Sequence, residues 1–246
     1  IPKEFNKTGV VCIDCHEPET VQLRISRSTL NDALNTVDNV PAELDKAQMG
    51  NLVCAQCHVT YSIPKDKNKK SIGLVFPWKY GQWGAITIED IEKQIKEEGL
   101  YEWTNKVTGI RLGHIRHPEF ELYTNNSLHS KLGLSCNSCH MPTEEVNGKE
   151  IPSHHWTSPF KQGLTACMKC HNQEPEDLKN RVIAIQDKVN ELFTEAGFRA
   201  AQAAKAIEMA NNTKSIKGLN KELLDEAKDA YEKAYYRIVF VGAENS

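Results

Sequence analysis

The chain has 246 residues, 33 acidic and 30 basic, for a formal net charge of −3. That balance supplies no electrostatic basis for nucleic-acid binding, and no nucleic-acid partner is expected. Hydrophobic content of 39% and a mean hydropathy of −0.53 are low for 27.7 kDa, and no apolar run approaches the roughly 18–20 residues that cross a bilayer. The opening "IPKEFNKTGV" has neither the basic start nor the apolar stretch of a signal peptide, and with Cys12 so near the start it reads as a mature or partial product. Further on, "VPAELDKAQMGNLVCAQCH" predicts a helix starting near Pro41. The lysine-rich "PKDKNKKS", 64–71, follows as a solvated loop. Thr87 is a predicted N-cap, with Asp90 three residues on and Gly99 as the stop. No alternating strand pattern of useful length is visible before residue 172. From Pro175 the texture changes. Leu178, Val182, Ile185, Val189, Leu192 and Ala196 form a heptad seam, and after "NNTKSIKGLN" so do Leu224, Ala227, Tyr231, Ala234, Ile238 and Val241. Two helices of roughly 40 Å each, at 1.5 Å per residue, are expected as an antiparallel hairpin. The expected fold is mainly α: short helices and loops over 1–172 and a long helical hairpin over 173–246, together one structural domain. The hairpin packs on the body, forms a dimer interface, or does both.

The cysteines fix the class. All eight fall in CxxC pairs, Cys12/Cys15, Cys54/Cys57, Cys136/Cys139 and Cys167/Cys170, and a histidine follows each pair: "CIDCH", "CAQCH", "CNSCH", "CMKCH". With nine histidines in the chain, four such coincidences have a chance probability on the order of one in a million, and CxxCH is the attachment signature of c-type haem. Two residues between the thiols let both reach one edge of a single porphyrin, and the adjacent histidine becomes the proximal iron ligand. Zinc ribbons give no reason for the histidines, and a disulfide framework suits a smaller secreted chain. Four haem c groups are expected, with proximal ligands His16, His58, His140 and His171. The rings also account for the meagre apolar content, since each supplies hydrophobic core.

Five histidines remain: His114, His117, His129, His154 and His155. An electron-transfer haem of low potential fills its sixth site with a second histidine, whereas a catalytic haem keeps it open. On ligand counting, four of the five can be distal ligands and one is left over. Spacing carries the assignment no further. The residues alone establish a multihaem c-type cytochrome with electron transfer as its minimum function.

Longer stretches are more specific. "CAQCHVTY", "IRHPEFELYTNNSLHSKLGLSCNSCHMP", "GKEIPSHHWTSPF" and "YRIVFVGAENS", in this order, together resemble the ammonia-forming pentahaem cytochrome c nitrite reductases from about Gly9 to Ser246. The resemblance implies that nitrite is the substrate and that six electrons reach a fifth, lysine-ligated haem through bis-histidine haems. That fifth haem's CxxCK motif and its active-site arginine are not in this sequence, so the chain is expected to lack an N-terminal part. It is also expected to stop short of a further ligand histidine, and by itself to be redox-active but inert toward nitrite. By motif position, His154 is implied as distal ligand opposite His16, and His129 opposite His171. The partners of His58 and His140 are implied to lie in the missing segments. His117 and Tyr61 match the family's catalytic histidine and tyrosine. Nitrite reduction needs protons delivered to oxygen, which suits a histidine, while a tyrosine hydroxyl orients what is bound.

Many family members hold calcium beside the active site, using a glutamate and a glutamine whose positions here are Thr60 and Arg116. A guanidinium offers an oxygen-seeking cation nothing, but can set its own charge and donors against the same carbonyls. The pair Arg116-His117 resembles the calcium-independent branch, so Arg116 is expected as a structural replacement for calcium, and no calcium is predicted. His114 and His155 carry no assigned role. The resemblance further implies a quinol-linked cytochrome or membrane redox partner as electron donor, a homodimer through the C-terminal helices, and a periplasmic location, with membrane association only through a partner. Two alternatives stay open: a pure electron-transfer multihaem cytochrome, and an octahaem relative of the hydroxylamine oxidoreductase or nitrite reductase type.

Overall fold

The computed structural model describes residues 9–66, 68, 70–213 and 220–244. Positions 67 and 69 of the lysine-rich loop and 214–219 of the expected hairpin loop lie outside these. The described residues form α1 (Cys12–Cys15), α2 (Ser28–Leu34), α3 (Lys46–Ala55), α4 (Ile88–Glu98), a short strand pair β1 (Trp103–Thr104) and β2 (Arg111–Leu112), α5 (Glu119–Thr124), α6 (Leu128–Lys131), α7 (Cys136–His140), a second pair β3 (Thr143–Val146) and β4 (Lys149–Pro152), and then α8 (Pro175–Asn212) and α9 (Lys221–Gly242). The fold is mainly α, as expected. No helix among the described residues is long and apolar enough to cross a membrane.

Local chemistry sets the element ends. In α4 the Thr87 hydroxyl accepts from the Asp90 amide at 3.2 Å and the Asp90 carboxylate accepts from the Thr87 amide at 2.9 Å, as the sequence predicts. Gly99 closes the helix at φ 67, a left-handed value that favours glycine. The predicted start at Pro41 is displaced: α3 begins at Lys46, because Asp45 and Gln48 form the capping box there. Strand content also exceeds the expectation. β3 and β4 pair antiparallel around Asn147-Gly148, at φ 53 and 76, the Asn-Gly pair of a tight hairpin turn.

The core gathers Leu30, Leu52, Trp78, Ile91, Ile95 and Leu112 with Tyr236 and Phe240 of α9. Thus α9 joins the core of the 1–172 region rather than standing apart from it. Arg237 reaches Glu89 at 2.6 Å and Glu92 at 3.0 Å, and the Tyr236 hydroxyl accepts from the Gly113 amide at 2.9 Å, four residues before His117. The two hairpin helices differ from the equal lengths expected. α8 has 38 residues, about 57 Å at 1.5 Å per residue, and α9 has 22, about 33 Å. Along the predicted seam of α8, Leu178 is buried, but Ile185, Val189 and Leu192 are 56%, 46% and 54% exposed.

Candidate functional site

The first and fourth CxxCH motifs each face a remote histidine. The His16 and His154 rings stand with centroids 6.1 Å apart, and those of His129 and His171 6.3 Å apart. An imidazole nitrogen sits about 2 Å from a metal it binds and about 1 Å from its own ring centre, so two rings gripping one metal have centroids roughly 6 Å apart. Both pairs therefore fit an axial histidine couple. Their second nitrogens are oriented to match. His16 Nδ1 donates to the Val21 carbonyl at 2.7 Å, and His154 Nδ1 donates to that of Pro152 at 3.1 Å. A carbonyl only accepts, so the proton is on Nδ1 and Nε2 keeps a lone pair for a metal. His140 Nδ1 likewise donates to Thr157 O at 3.1 Å. Val21 presents its carbonyl at φ 59, a conformation costly for a β-branched residue.

None of the eight cysteines is joined to another in a disulfide, which excludes the disulfide framework in this structure. Cys57 is exposed while its pair partner Cys54 is half-buried, and Cys170 is exposed while Cys167 is half-buried. The cause is local. The Cys57 amide donates to the Cys54 carbonyl at 3.1 Å and the Cys170 amide to the Cys167 carbonyl at 3.1 Å, so each second cysteine closes a tight turn at the rim of its motif. In the first pair the order is reversed, with Cys12 exposed and Cys15 half-buried, and in the third both Cys136 and Cys139 are half-buried. The polypeptide itself covers one thiol of the second and fourth pairs, not two.

The attachment motifs are also tied to one another. Gln56, inside the second motif, accepts from the Ser26 amide at 2.6 Å and the Arg27 amide at 3.0 Å, and donates to the carbonyl of Asp14, inside the first, at 3.0 Å. Asn51 Oδ1 accepts from the amide of Cys136, opening the third motif, at 2.9 Å. Close packing permits this. A Cβ on Gly50 would meet Asn137 Oδ1 at 2.8 Å. Replacing Gln56 by alanine leaves two amides near the core without acceptors, and unfolding stability is expected to fall by about 2–3 kcal/mol in denaturant titration. An unchanged midpoint would show that the tie between motifs is dispensable.

The structure also brings His117, Tyr61 and His58 together. The His117 and Tyr61 rings lie 6.4 Å apart at 17°, and those of His117 and His58 6.1 Å apart at 81°. Glu119 reaches both imidazoles, with its carboxylate 3.7 Å from His58 Nδ1 and 3.8 Å from His117 Nδ1. One ligand atom from each of His58, His117 and Glu119 lies within 4.8 Å of the others. The Glu119 carboxylate raises the His58 pKa against the opposing effect of burial. His117 has φ 49 immediately before Pro118, where a non-glycine residue is strained, and strain of this kind concentrates at functional sites.

Arg116 turns away from solvent into Glu102, donating to both carboxylate oxygens at 2.7 and 2.8 Å. Its Nη1 also donates to the Tyr61 carbonyl at 3.1 Å, and its guanidinium lies 5.1 Å from the Tyr61 ring centre. Thr60 is fully buried and donates its amide to Glu121. His114 sits 3.4 Å from Glu102 and 6.0 Å, centre to centre, from the Trp103 ring, outside the His117–Tyr61 pair. The His155 amide donates to Ser153, and its imidazole belongs to neither histidine couple. Sequence reading missed Glu102, Glu119, Glu121, Asn51 and Gln56. Only Glu119 and Glu121 carried a signal, as the acids of "HPEFE".

The family model described as cytochrome c552 matches residues 1–246. The cytochrome c nitrite reductase subunit NrfA of Nitratidesulfovibrio vulgaris is 34% identical over 96% of this chain and 47% of its own length. A cytochrome c-552 of Bacteroides thetaiotaomicron is 35% identical over 74% of this chain and 35% of its own. The solved cytochrome c nitrite reductase catalytic subunit NrfA of Desulfovibrio desulfuricans, a structure concerned with its two calcium sites, is similar with a TM-score of 0.84 at 30% identity, over 96% of this chain and 51% of that one. The chain spans about half the length of these relatives or less.

Proposed function

The chain belongs to the cytochrome c552 family, and from that premise we propose that it forms the electron-relay region and one wall of the reaction pocket of an ammonia-forming nitrite reductase. The supporting observation is the stacking of His117 on Tyr61 beside the second CxxCH motif. Nitrite becomes ammonium by taking up six electrons and eight protons and releasing two waters. Haem, when bound, would supply the iron that carries the electrons. Everything else falls to side chains. Cys12/Cys15, Cys54/Cys57, Cys136/Cys139 and Cys167/Cys170 tether four haems, with His16, His58, His140 and His171 as proximal ligands. His154, with His16, and His129, with His171, would hold two of these haems, as their ring separations support.

At the pocket, His117 gives a proton from its imidazole to a nitrite oxygen as the N–O bond breaks, and recovers it from solvent. The Tyr61 hydroxyl donates to the bound anion and holds it in register. Arg116 keeps Tyr61 in place from behind, doing for the Tyr61 carbonyl what a calcium ion would otherwise do, in contrast to the calcium-bearing Desulfovibrio desulfuricans protein. The test is ammonium yield from nitrite with an excess of a reduced viologen, using the full-length haem-loaded protein. Stoichiometric ammonium is expected, and electron uptake without nitrogen chemistry would leave only a carrier.

The electron donor is proposed to be a quinol-linked cytochrome, and the compartment the periplasm, where covalent haem attachment of this kind is completed. The exposed Ile185, Val189 and Leu192 of α8 support a homodimer through the hairpins. Light scattering should give twice the protomer mass, and a Leu192→Glu variant half of that. A monomeric wild type would remove the dimer.

A further inference from the structure

Glu121 is a fully buried acid with no cation against it among the described residues. Its side chain is 0% exposed. Oε1 accepts from Trp78 Nε1 at 2.8 Å and from the Thr60 amide at 3.0 Å, while Oε2 meets no hydrogen-bond partner among the described residues. A buried carboxyl with one satisfied oxygen is costly to keep, and a hydrophobic residue of similar size costs less. Its position suggests why it is there. Thr60 is flanked by the segment that carries His58 and Tyr61, and α5, which carries Glu121, begins directly after the strained His117-Pro118 turn. The same two segments meet once more, where the Phe120 amide donates to the His58 carbonyl at 3.2 Å, and the Phe120 ring stacks at 5.2 Å on Trp78, itself a donor to Glu121.

We propose that Glu121 is a positioning residue for the His117–Tyr61 pair. Its carboxyl pins the Thr60 amide to the helix that starts beside His117, and so fixes the spacing between the two rings. This rests on the reading of His117 and Tyr61 as pocket residues. Burial pushes the Glu121 pKa up to about 7, with the nearby Glu119 adding to the rise and the Trp78 and Thr60 donors opposing it. A glutamine keeps its shape and the acceptor oxygen that the Trp78 indole and the Thr60 amide use.

The experiment compares Glu121→Ala and Glu121→Gln in the full-length, haem-loaded protein. It reads hydrogen–deuterium exchange at the Thr60 amide, nitrite turnover and haem content together. For Glu121→Ala, at unchanged haem content, Thr60 exchange should rise at least tenfold and turnover fall at least tenfold. Glu121→Gln should stay within about threefold of wild type on both, which a group acting through its own proton would not allow. If Glu121→Ala does not accumulate, the glutamine variant decides: both readings near wild type support the clamp, and a turnover loss with Thr60 still protected overturns it. Accelerated exchange in Glu121→Ala with wild-type turnover would also overturn it. A wild type that makes no ammonium would refute the nitrite reductase reading instead, leaving the Thr60 exchange result to stand on its own.

Discussion

Replacing His117 by alanine is expected to lower ammonium formation about 100- to 1,000-fold while leaving haem content and the reduced spectrum of the four CxxCH sites unchanged. The magnitude is that of one positioned general acid or base. The argument is geometric. His117 is held at φ 49 before a proline, stacks on Tyr61 at 6.4 Å, and has Glu119 within 3.8 Å to orient its imidazole. A residue of the ordinary surface needs none of these. The imidazole is 46% exposed and fills no apolar core, so removing it should leave no cavity and cost little stability. Its defect should therefore appear in kcat, with thermal unfolding unmoved. A His117→Ala protein with near-normal turnover would take the catalytic role away from this side chain.

The second large effect is expected at Arg116. Substitution by glutamine leaves the Glu102 carboxylate, whose side chain is only 5% exposed, without its bidentate partner and removes a donor from the Tyr61 carbonyl. Breaking a buried pair in this way costs about 3–5 kcal/mol, reduced here to the extent that His114, 3.4 Å from Glu102, takes up the charge. Burial opposes ionisation of Glu102, but the Arg116 hydrogen bonds outweigh it and hold the carboxyl below its ordinary pKa. A depressed carboxylate stabilises the fold above its unfolded pKa and loses that contribution as pH falls through the folded value. The gap between wild type and Arg116→Gln should accordingly be widest near neutral pH and close in acid. Chelators should leave wild-type activity intact. The variant exposes a carboxylate and a carbonyl to any hard cation, so millimolar calcium should restore part of its stability. Tightly held stoichiometric calcium in the wild type would contradict the replacement.

What the sequence disclosed and what it hid divide along chain separation. CxxCH is complete within five residues, and the Thr87–Asp90 box with Gly99 within thirteen, so local reading located both. The motif does not, however, encode how far each sulfur is covered. Cys57 and Cys170 lie exposed where Cys54 and Cys167 do not, whereas in the first pair Cys12 is the exposed one. The Asn147-Gly148 turn is equally local but hard to read, because the flanking strands are exposed along their length and show no apolar alternation. The ties that assemble the sites are not local at all. Gln56 meets Asp14 across 42 positions, Glu121 meets Thr60 across 61, and Asn51 meets Cys136 across 85. No periodicity encodes such pairs. His154 and His129 could be matched to His16 and His171 only through likeness to a family, and the fold then brought each couple within 6.3 Å. In α8 the seam was legible, but spacing alone could not say which of its residues the protomer itself would cover.

The account depends most on four porphyrins being covalently attached to this polypeptide. Intact mass spectrometry of the denatured protein, followed by digestion, tests this directly. It should show four haem increments that survive denaturation, one on each fragment holding Cys12/Cys15, Cys54/Cys57, Cys136/Cys139 and Cys167/Cys170. The bare polypeptide mass with eight alkylatable thiols, or with zinc released on unfolding, would contradict it.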